Sequence, residues 1–240
     1  MTNVHREVLP TPEALAERIA DFVVAGLGEA QTHHGEASLV LAGGTTPRAA
    51  YMLLAKAPRR NAIDWTRITL LFGDERCVAP TDADSNYRMA REALLAHVPL
   101  PASAVLRMRG EAPPIVAAAE YAARIRERFG SSPRFDIVLL GMGPDGHTAS
   151  LFPGSDPFVD DDALVRAVYS ESKQQWRLTL TPSAINAARS IVIALAGSEK
   201  AATYSAVARG EGDPVLYPVE AIVPIEGQLT WLVERSSVVD

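Results

Sequence analysis

Cysteine is almost missing from this chain: Cys77 is the only one among 240 residues. A lone thiol closes no internal disulfide and builds no thiolate metal cluster, and it suits a reducing compartment. Positive charge is short as well, with 23 Lys and Arg against 29 Asp and Glu and a formal net charge of -6. No basic field exists to neutralise a polymer of phosphates, so nucleic acid is not the expected partner. An anionic small molecule would have to be held by a few placed cations. No apolar run approaches the roughly 20 residues of a membrane span. Residues 1–9 mix His5, Arg6 and Glu7 without an apolar stretch, unlike a signal peptide. The expected location is the cytoplasm, with no membrane partner. G-x-S-x-G and H-E-x-x-H are absent too, which leaves a nucleophile-elbow hydrolase and a zincin unsupported. With a single histidine at a promising strand end, no metal is expected.

What the chain does have is alternation. Residues 38–42, 68–72, 136–140, 176–181, 190–196 and 228–233 read as strands, several apolar nearly throughout. Such runs suit strands covered on both faces. Between them, residues 12–30, 47–56, 86–97, 117–129 and 199–208 show helical spacing. Thr11-Pro12, Thr46-Pro47 and Thr181-Pro182 each set a hydroxyl before a proline, the order of a helix start. The pattern predicts an α/β fold with a mostly parallel sheet flanked by helices, in one domain over residues 1–240. Residues 78–85 and 153–162 read as surface loops, with a small subdomain expected around 153–172. Sheets of this kind bind ligands beyond the carboxyl ends of their strands.

Four stretches meet that condition. In "LAGGTTP" a strand runs into Gly43 and Gly44, then a helix start at Thr45 and Thr46. Glycines admit a close ligand, and the first helical N–H groups seat an anion. A tight turn explains the stretch equally well, and without a following lysine it is not a P-loop. In "LFGDERCVAPTDADSNY" three charged residues, Asp74, Glu75 and Arg76, arrive at a strand end. A carboxylate and a guanidinium there suit a polyol and an anion, although a solvated turn gives the same pattern. Asn86 falls in the cap of the next helix.

The third stretch, "GMGPDGHTASLFPG", satisfies G-x-G-x-x-G and then departs from it. A dinucleotide site needs several helical turns after the third glycine, whereas Pro144 stiffens this turn and Pro153-Gly154 cuts any helix short. What remains is a glycine-rich turn, with Gly143 at its centre, presenting Asp145 and His147. A carboxylate two residues from a histidine fixes its tautomer and raises its basicity. His5, His33 and His34 read as exposed, and His97 as the complement of a helix C-terminus. The fourth is a pair of cations near successive strand ends, Arg177 in "WRLTLTP" and Lys200 in "LAGSEKA". A lysine in the first turn of a helix opposes the dipole unless an anion lies between them. That misfit points to a bound phosphate or carboxylate, although an exposed lysine also explains the residue taken alone.

In order and spacing, "LAGGTTP", "GDERCVAPTDADSNY", "FDIVLLGMGPDGHTASLFPG", "WRLTLTP" and "AGSEKA" resemble the 6-phosphogluconolactonase family, over roughly residues 38–234. "GQLTWLVE" is similar to that family's last strand. The related glucosamine-6-phosphate deaminases share D-G-H but continue with an I-A-F-N-E-P-like run, where residues 148–153 follow the lactonase form. Cys77 departs from the family, which often carries an aromatic residue after D-E-R. The resemblance implies a Rossmannoid fold of the NagB/RpiA/CoA-transferase-like type. It also implies cytosolic hydrolysis of 6-phospho-D-glucono-1,5-lactone to 6-phospho-D-gluconate in the oxidative pentose phosphate pathway, with no cofactor or required metal.

On that resemblance His147 is the general base acting on water, oriented by Asp145. Arg177 and Lys200, with the backbone of Gly43, Gly44, Thr45 and Thr46, hold the phosphate. Arg76 adds positive charge near the phosphate or the oxyanion, and Asp74 and Asn86 position the sugar hydroxyls or the loop. The expected partner is a sugar phosphate lactone, and the expected state a monomer or weak homodimer. Two other classes stay open: a sugar-phosphate isomerase or deaminase with Asp74 as carbon-acid base, and a silent sugar-phosphate-binding regulator.

Overall fold

The computed structural model describes residues 3–154, 163–210 and 213–238, so most of the expected loop at 153–162 lies outside the described residues. The elements run β1 (Asn3–Leu9), α1 (Pro12–His34), β2 (Ala37–Leu41), α2 (Thr45–Leu54), β3 (Ile68–Phe72), β4 (Asp74–Arg76) and α3 (Asn86–Ala93). They continue α4 (Pro114–Phe129), β5 (Ile137–Gly141), β6 (Val165–Ser170), β7 (Gln175–Leu180), α5 (Pro182–Asn186), β8 (Ser190–Leu195), α6 (Ala201–Arg209) and β9 (Gln228–Glu234).

Six strands form one parallel sheet in the order β1-β9-β8-β5-β2-β3. Their side chains point alternately to two faces, and both faces are apolar. Leu39, Ile137, Leu139 and Val192 join a core with Ile19 of α1 and Leu54 of α2. Val40, Val138, Leu140 and Ile193 join a second core with Ile125 of α4 and Val207 of α6. Burial on both sides is what the near-continuous apolar runs required. The chain leaves β2 for β3 on one side and later enters β5 on the other. The resulting switch in direction opens a crevice at the strands' carboxyl ends.

Two buried tyrosines secure that end of the sheet. The Tyr51 hydroxyl of α2 accepts from the Ala42 N–H at 2.9 Å and donates to the Ala42 carbonyl at 3.0 Å. Tyr121 of α4 does the same for Phe72, at 2.9 and 3.1 Å. Each hydroxyl thus satisfies both backbone groups of a residue at a strand terminus.

A second sheet, β4-β7-β6, is antiparallel. It corrects the subdomain expected around 153–172: the β6–β7 hairpin is completed by β4, a strand of three charged residues from far earlier in the chain. β1 is a further strand beyond those the pattern predicts, because exposed charged positions disguise an edge strand. Thr11 and Thr181 cap as expected, accepting from the N–H of Ala14 and Ala184 at 3.2 Å each. Thr46 does not. α2 begins one residue before it, and its N-cap is Gly44, with φ +101° and no capping side chain. The 86–97 helix breaks after Ala93, and the His97 ring nitrogen lies 2.9 Å from the Glu92 carbonyl in its last turn. Lys200 ends a 3₁₀ turn and is the N-cap of α6 rather than a residue of its first turn. Among the described residues no helix is long and apolar enough to cross a membrane.

Candidate active site

The carboxyl ends of β2, β3, β5 and β8 open into a cleft of about 260 Å³. Gly43, Gly44, Thr45, Thr46, Asp74, Arg76, Asn86, Gly143, His147, Arg177 and Lys200 all line it. Of the expected site residues only Asp145 is not on the wall; it touches His147 instead.

The turn after β5 is held by its own backbone. The Gly143 N–H donates to the His147 carbonyl at 2.9 Å, and the Gly146 N–H to the Gly143 carbonyl at 3.0 Å. No helix follows through Gly154, so the glycines serve a turn and not a dinucleotide fold. Its flank is clasped from elsewhere: Thr203 of α6 donates to the Pro144 carbonyl at 2.6 Å, and the Val219 N–H to the Gly146 carbonyl at 3.0 Å.

His147 Nδ1 lies 2.5 Å from Asp145 Oδ1, and the same oxygen accepts the His147 backbone N–H at 3.2 Å. An ionised carboxylate only accepts, so this pairing puts the proton on Nδ1 and leaves Nε2 as the basic nitrogen. Burial pushes the Asp145 carboxyl up, but the hydrogen bond and charge of His147 outweigh it and hold it below the usual range. Phe152 backs the imidazole, with ring centroids 5.0 Å apart. A Cβ on Gly143 would fall 2.2 Å from His147 Nδ1 and 2.8 Å from Asp145 Oδ1. Only glycine lets the strand end approach the pair so closely.

Across the cleft, Asn86 Nδ2 donates to the Asp74 carbonyl and to Asp74 Oδ1, both at 3.0 Å. Ser150 donates to Asp74 Oδ2 at 2.7 Å. Both carboxylate oxygens are therefore engaged. Gly43 makes room for this arrangement, since a Cβ there would meet Asn86 Oδ1 at 2.1 Å.

The cations form a different kind of wall. The register of β4 and β7 sets Arg76 directly opposite Arg177, a like-charge pair that ordinarily destabilises a sheet. Both Nε atoms are buried without a hydrogen-bond partner. Arg76 Nη1 donates to the Asp84 carbonyl. Burial pushes the Arg177 guanidinium down, and the charge of Arg76 adds to it. Lys200, half-buried, is pushed down by burial as well. Together with the uncapped start of α2, these are the features of a seat for an anion. Among the described residues no three His, Cys, Asp or Glu side chains converge as a metal site. Burial raises the Cys77 thiol to about 11, which makes it a poor nucleophile.

Two residues without a role on sequence grounds lie directly behind the cleft wall, bonded to Asp74, Asn86 and Arg76. Ser150 sits inside the quoted glycine-rich run and was given no role. Glu75 passed as part of a charged turn, yet it is 3% exposed.

A family model described as glucosamine-6-phosphate isomerases/6-phosphogluconolactonase matches residues 10–231. A 6-phosphogluconolactonase of Synechocystis sp. is 36% identical over 236 residues, covering 96% of this chain and 95% of its own. The solved 6-phosphogluconolactonase from Trypanosoma cruzi superposes with a TM-score of 0.86 at 26% identity, covering 99% of this chain and 96% of its own. A monomeric glucosamine-6-phosphate deaminase of the NagB superfamily reaches a TM-score of 0.83 at 20% identity, with 98% of each chain covered, a likeness of fold alone. The NagB-type fold expected from the motifs is the one observed.

Proposed function

The chain belongs to the glucosamine-6-phosphate isomerase/6-phosphogluconolactonase family, and from that premise we propose that it hydrolyses 6-phospho-D-glucono-1,5-lactone to 6-phospho-D-gluconate. In this reaction His147 Nε2 takes a proton from a water that attacks the lactone carbonyl carbon. The new C–O bond forms, the bond to the ring oxygen breaks, and the imidazolium returns the proton to that departing oxygen, which becomes a hydroxyl. Asp145 keeps the ring in the required tautomer and steadies its charged form. A positioned base of this kind contributes about 10²–10⁴-fold. Arg177 and Lys200, with the N–H groups at the start of α2, hold the phosphate. Arg76, opposite Arg177, adds charge at the phosphate or at the developing oxyanion. Asp74 and Asn86 orient sugar hydroxyls. The setting this implies is the oxidative pentose phosphate pathway in the cytoplasm.

One observation carries the reading: His147, paired with Asp145 behind it, shares a single cleft with three cations and an uncapped helix start. Hydrolysis of an anionic ester needs both halves. Asp74 as the base of an isomerase or deaminase fits less well, because Asn86 and Ser150 occupy both its oxygens. The test is the disappearance of freshly generated 6-phosphogluconolactone beside the spontaneous rate. A purified chain that leaves that rate unchanged, or that releases ammonia from glucosamine 6-phosphate, overturns the proposal.

A further inference from the structure

Strand β4 turns Asp74 and Arg76 to the cleft, and Glu75, between them, faces the other way. A carboxylate at 3% exposure is costly to bury unless its oxygens are satisfied. These are. Oε1 accepts the N–H groups of Arg76 and Asn86 at 2.8 and 2.7 Å. Oε2 accepts the Tyr87 N–H at 2.8 Å and the Ser85 hydroxyl at 3.0 Å. Asn86 and Tyr87 are the first two residues of α3, and Ser85 caps the third N–H, that of Arg88, at 3.1 Å. Glu75 is therefore the anion at the start of α3, where the helix dipole favours one.

Two of its four donors belong to residues on the cleft wall. The Asn86 backbone is tied to Glu75 while its side-chain amide holds the Asp74 carboxylate. The Arg76 N–H is tied to the same oxygen as Asn86, and its guanidinium donates to Asp84 in the loop that α3 closes. We propose that Glu75 is a positioning residue of this site, a fully engaged carboxylate on the far face of β4 that sets the places of Asn86 and Arg76 in the cleft. It touches no substrate. The proposal rests on the lactonase reading only for its kinetic readout.

Its chemistry makes a sharp variant available. Glu75→Gln keeps the shape, but an amide offers one accepting oxygen and an NH₂ that only donates. Two of the four donors then lose their acceptor. At temperatures well below unfolding, kcat/KM on the phosphorylated lactone should fall about 10- to 100-fold, the scale of an ångström-sized misplacement of catalytic groups. Hydrogen exchange should show whichever amide is left facing the NH₂, that of Asn86 or that of Tyr87, losing protection in the same variant. Ser85→Ala, which removes one donor, should move both readouts less in the same direction, and it carries the test alone if Glu75→Gln does not fold. A merely structural role lowers the unfolding temperature and leaves kcat and KM in place. Lost amide protection with wild-type kinetics therefore overturns the proposal. So do impaired kinetics with both amides still protected, since Glu75 would then act by another route. A wild type inert towards the lactone refutes the functional reading instead. Calorimetric binding of 6-phosphogluconate then decides the positioning role, with weakened binding by Glu75→Gln supporting it and equal binding overturning it.

Discussion

The turn that carries His147 and the strand pair that carries Arg76 and Arg177 face the same cleft, yet their polar groups are treated in opposite ways. In the turn, Nδ1 has its carboxylate, backbone amides bond within the loop, and α6 clasps the outside. In the strand pair, two guanidinium groups oppose each other with both Nε atoms unsatisfied. The polar groups of the first region are satisfied within the protein, which suits the general base proposed for His147. The second keeps buried donors without acceptors, which suits the anion seat proposed there. On the proposed reading, preorganisation and recognition are thus separated in space, and each can be attacked alone.

The largest effect should come from the complete side. His147→Ala is expected to lower kcat by about 10²–10⁴-fold, the range for a general base. Calorimetry with 6-phosphogluconate should find its affinity little changed. Retention of half the wild-type rate would end the base assignment, and a parallel loss of affinity would erase the division between the two walls.

Next is Gly143→Ala, where the added Cβ would overlap the imidazole. A displaced ring should cost up to about 100-fold in kcat while KM moves little. Wild-type turnover would mean that the turn gives way easily and that its tight packing is incidental.

On the incomplete side the effects are smaller and fall on binding. On the proposed reading Arg177→Ala and Lys200→Ala each remove a charged contact worth about 1.5–3 kcal/mol, so KM for the phosphorylated lactone should rise at least about tenfold. Unphosphorylated gluconolactone should be affected far less. Equal losses on both lactones would move these residues from the phosphate to the carbonyl. Arg177→Ala should also leave the ligand-free protein no less stable in thermal unfolding, because it relieves a like-charge pair.

The smallest effect concerns pH. Burial disfavours the charged form of Lys200, so its folded value lies below that of an ordinary lysine, whereas a bound phosphate favours the charged form. Affinity for 6-phosphogluconate should therefore hold at neutral pH and weaken as pH climbs through the depressed value. Lys200→Arg should abolish this alkaline limb; its persistence would assign it to another group. The linkage for the ligand-free fold has the opposite sign. Stability contributed by Lys200 grows as pH rises from the depressed folded value to the unfolded one, since there the unfolded chain binds the extra proton.

These two regions also differ in how readily the sequence discloses them. Asp145, His147 and the glycines around them lie within seven residues of one another, and their contacts are local, so the motif nearly spells the geometry. The apolar runs of β2, β3, β5 and β8 are equally plain, because burial on both faces leaves at most one polar residue in each to confuse the pattern. β4 was hidden for the converse reason. Asp74, Glu75 and Arg76 have no strand-like composition, and they extend because β7, about a hundred residues later, offers a ladder. That Arg76 opposes Arg177 is a matter of register, which the local sequence does not encode. Glu75 went unassigned for the same cause: three of its four donors lie ten to twelve residues away, in a helix start that hydrophobic spacing locates only loosely. Lys200 was close to its expected place, and the intervening 3₁₀ turn shifted it to the cap.

The tyrosine beneath β3 has a consequence for how the molecule tolerates crowding. β3 ends the parallel sheet, and an end strand with free N–H and C=O groups invites a strand from another chain. Here the Tyr121 hydroxyl occupies both backbone groups of Phe72, and the Leu106 N–H takes the Leu70 carbonyl at 2.8 Å. Three backbone groups on this margin of the sheet are already bonded to their own chain. At the opposite margin, β1 exposes His5 and Arg6, and Glu7 is drawn to Arg18 at 2.8 Å. One border is closed by hydrogen bonding and the other guarded by charge, so self-association by sheet extension meets an obstacle at either end.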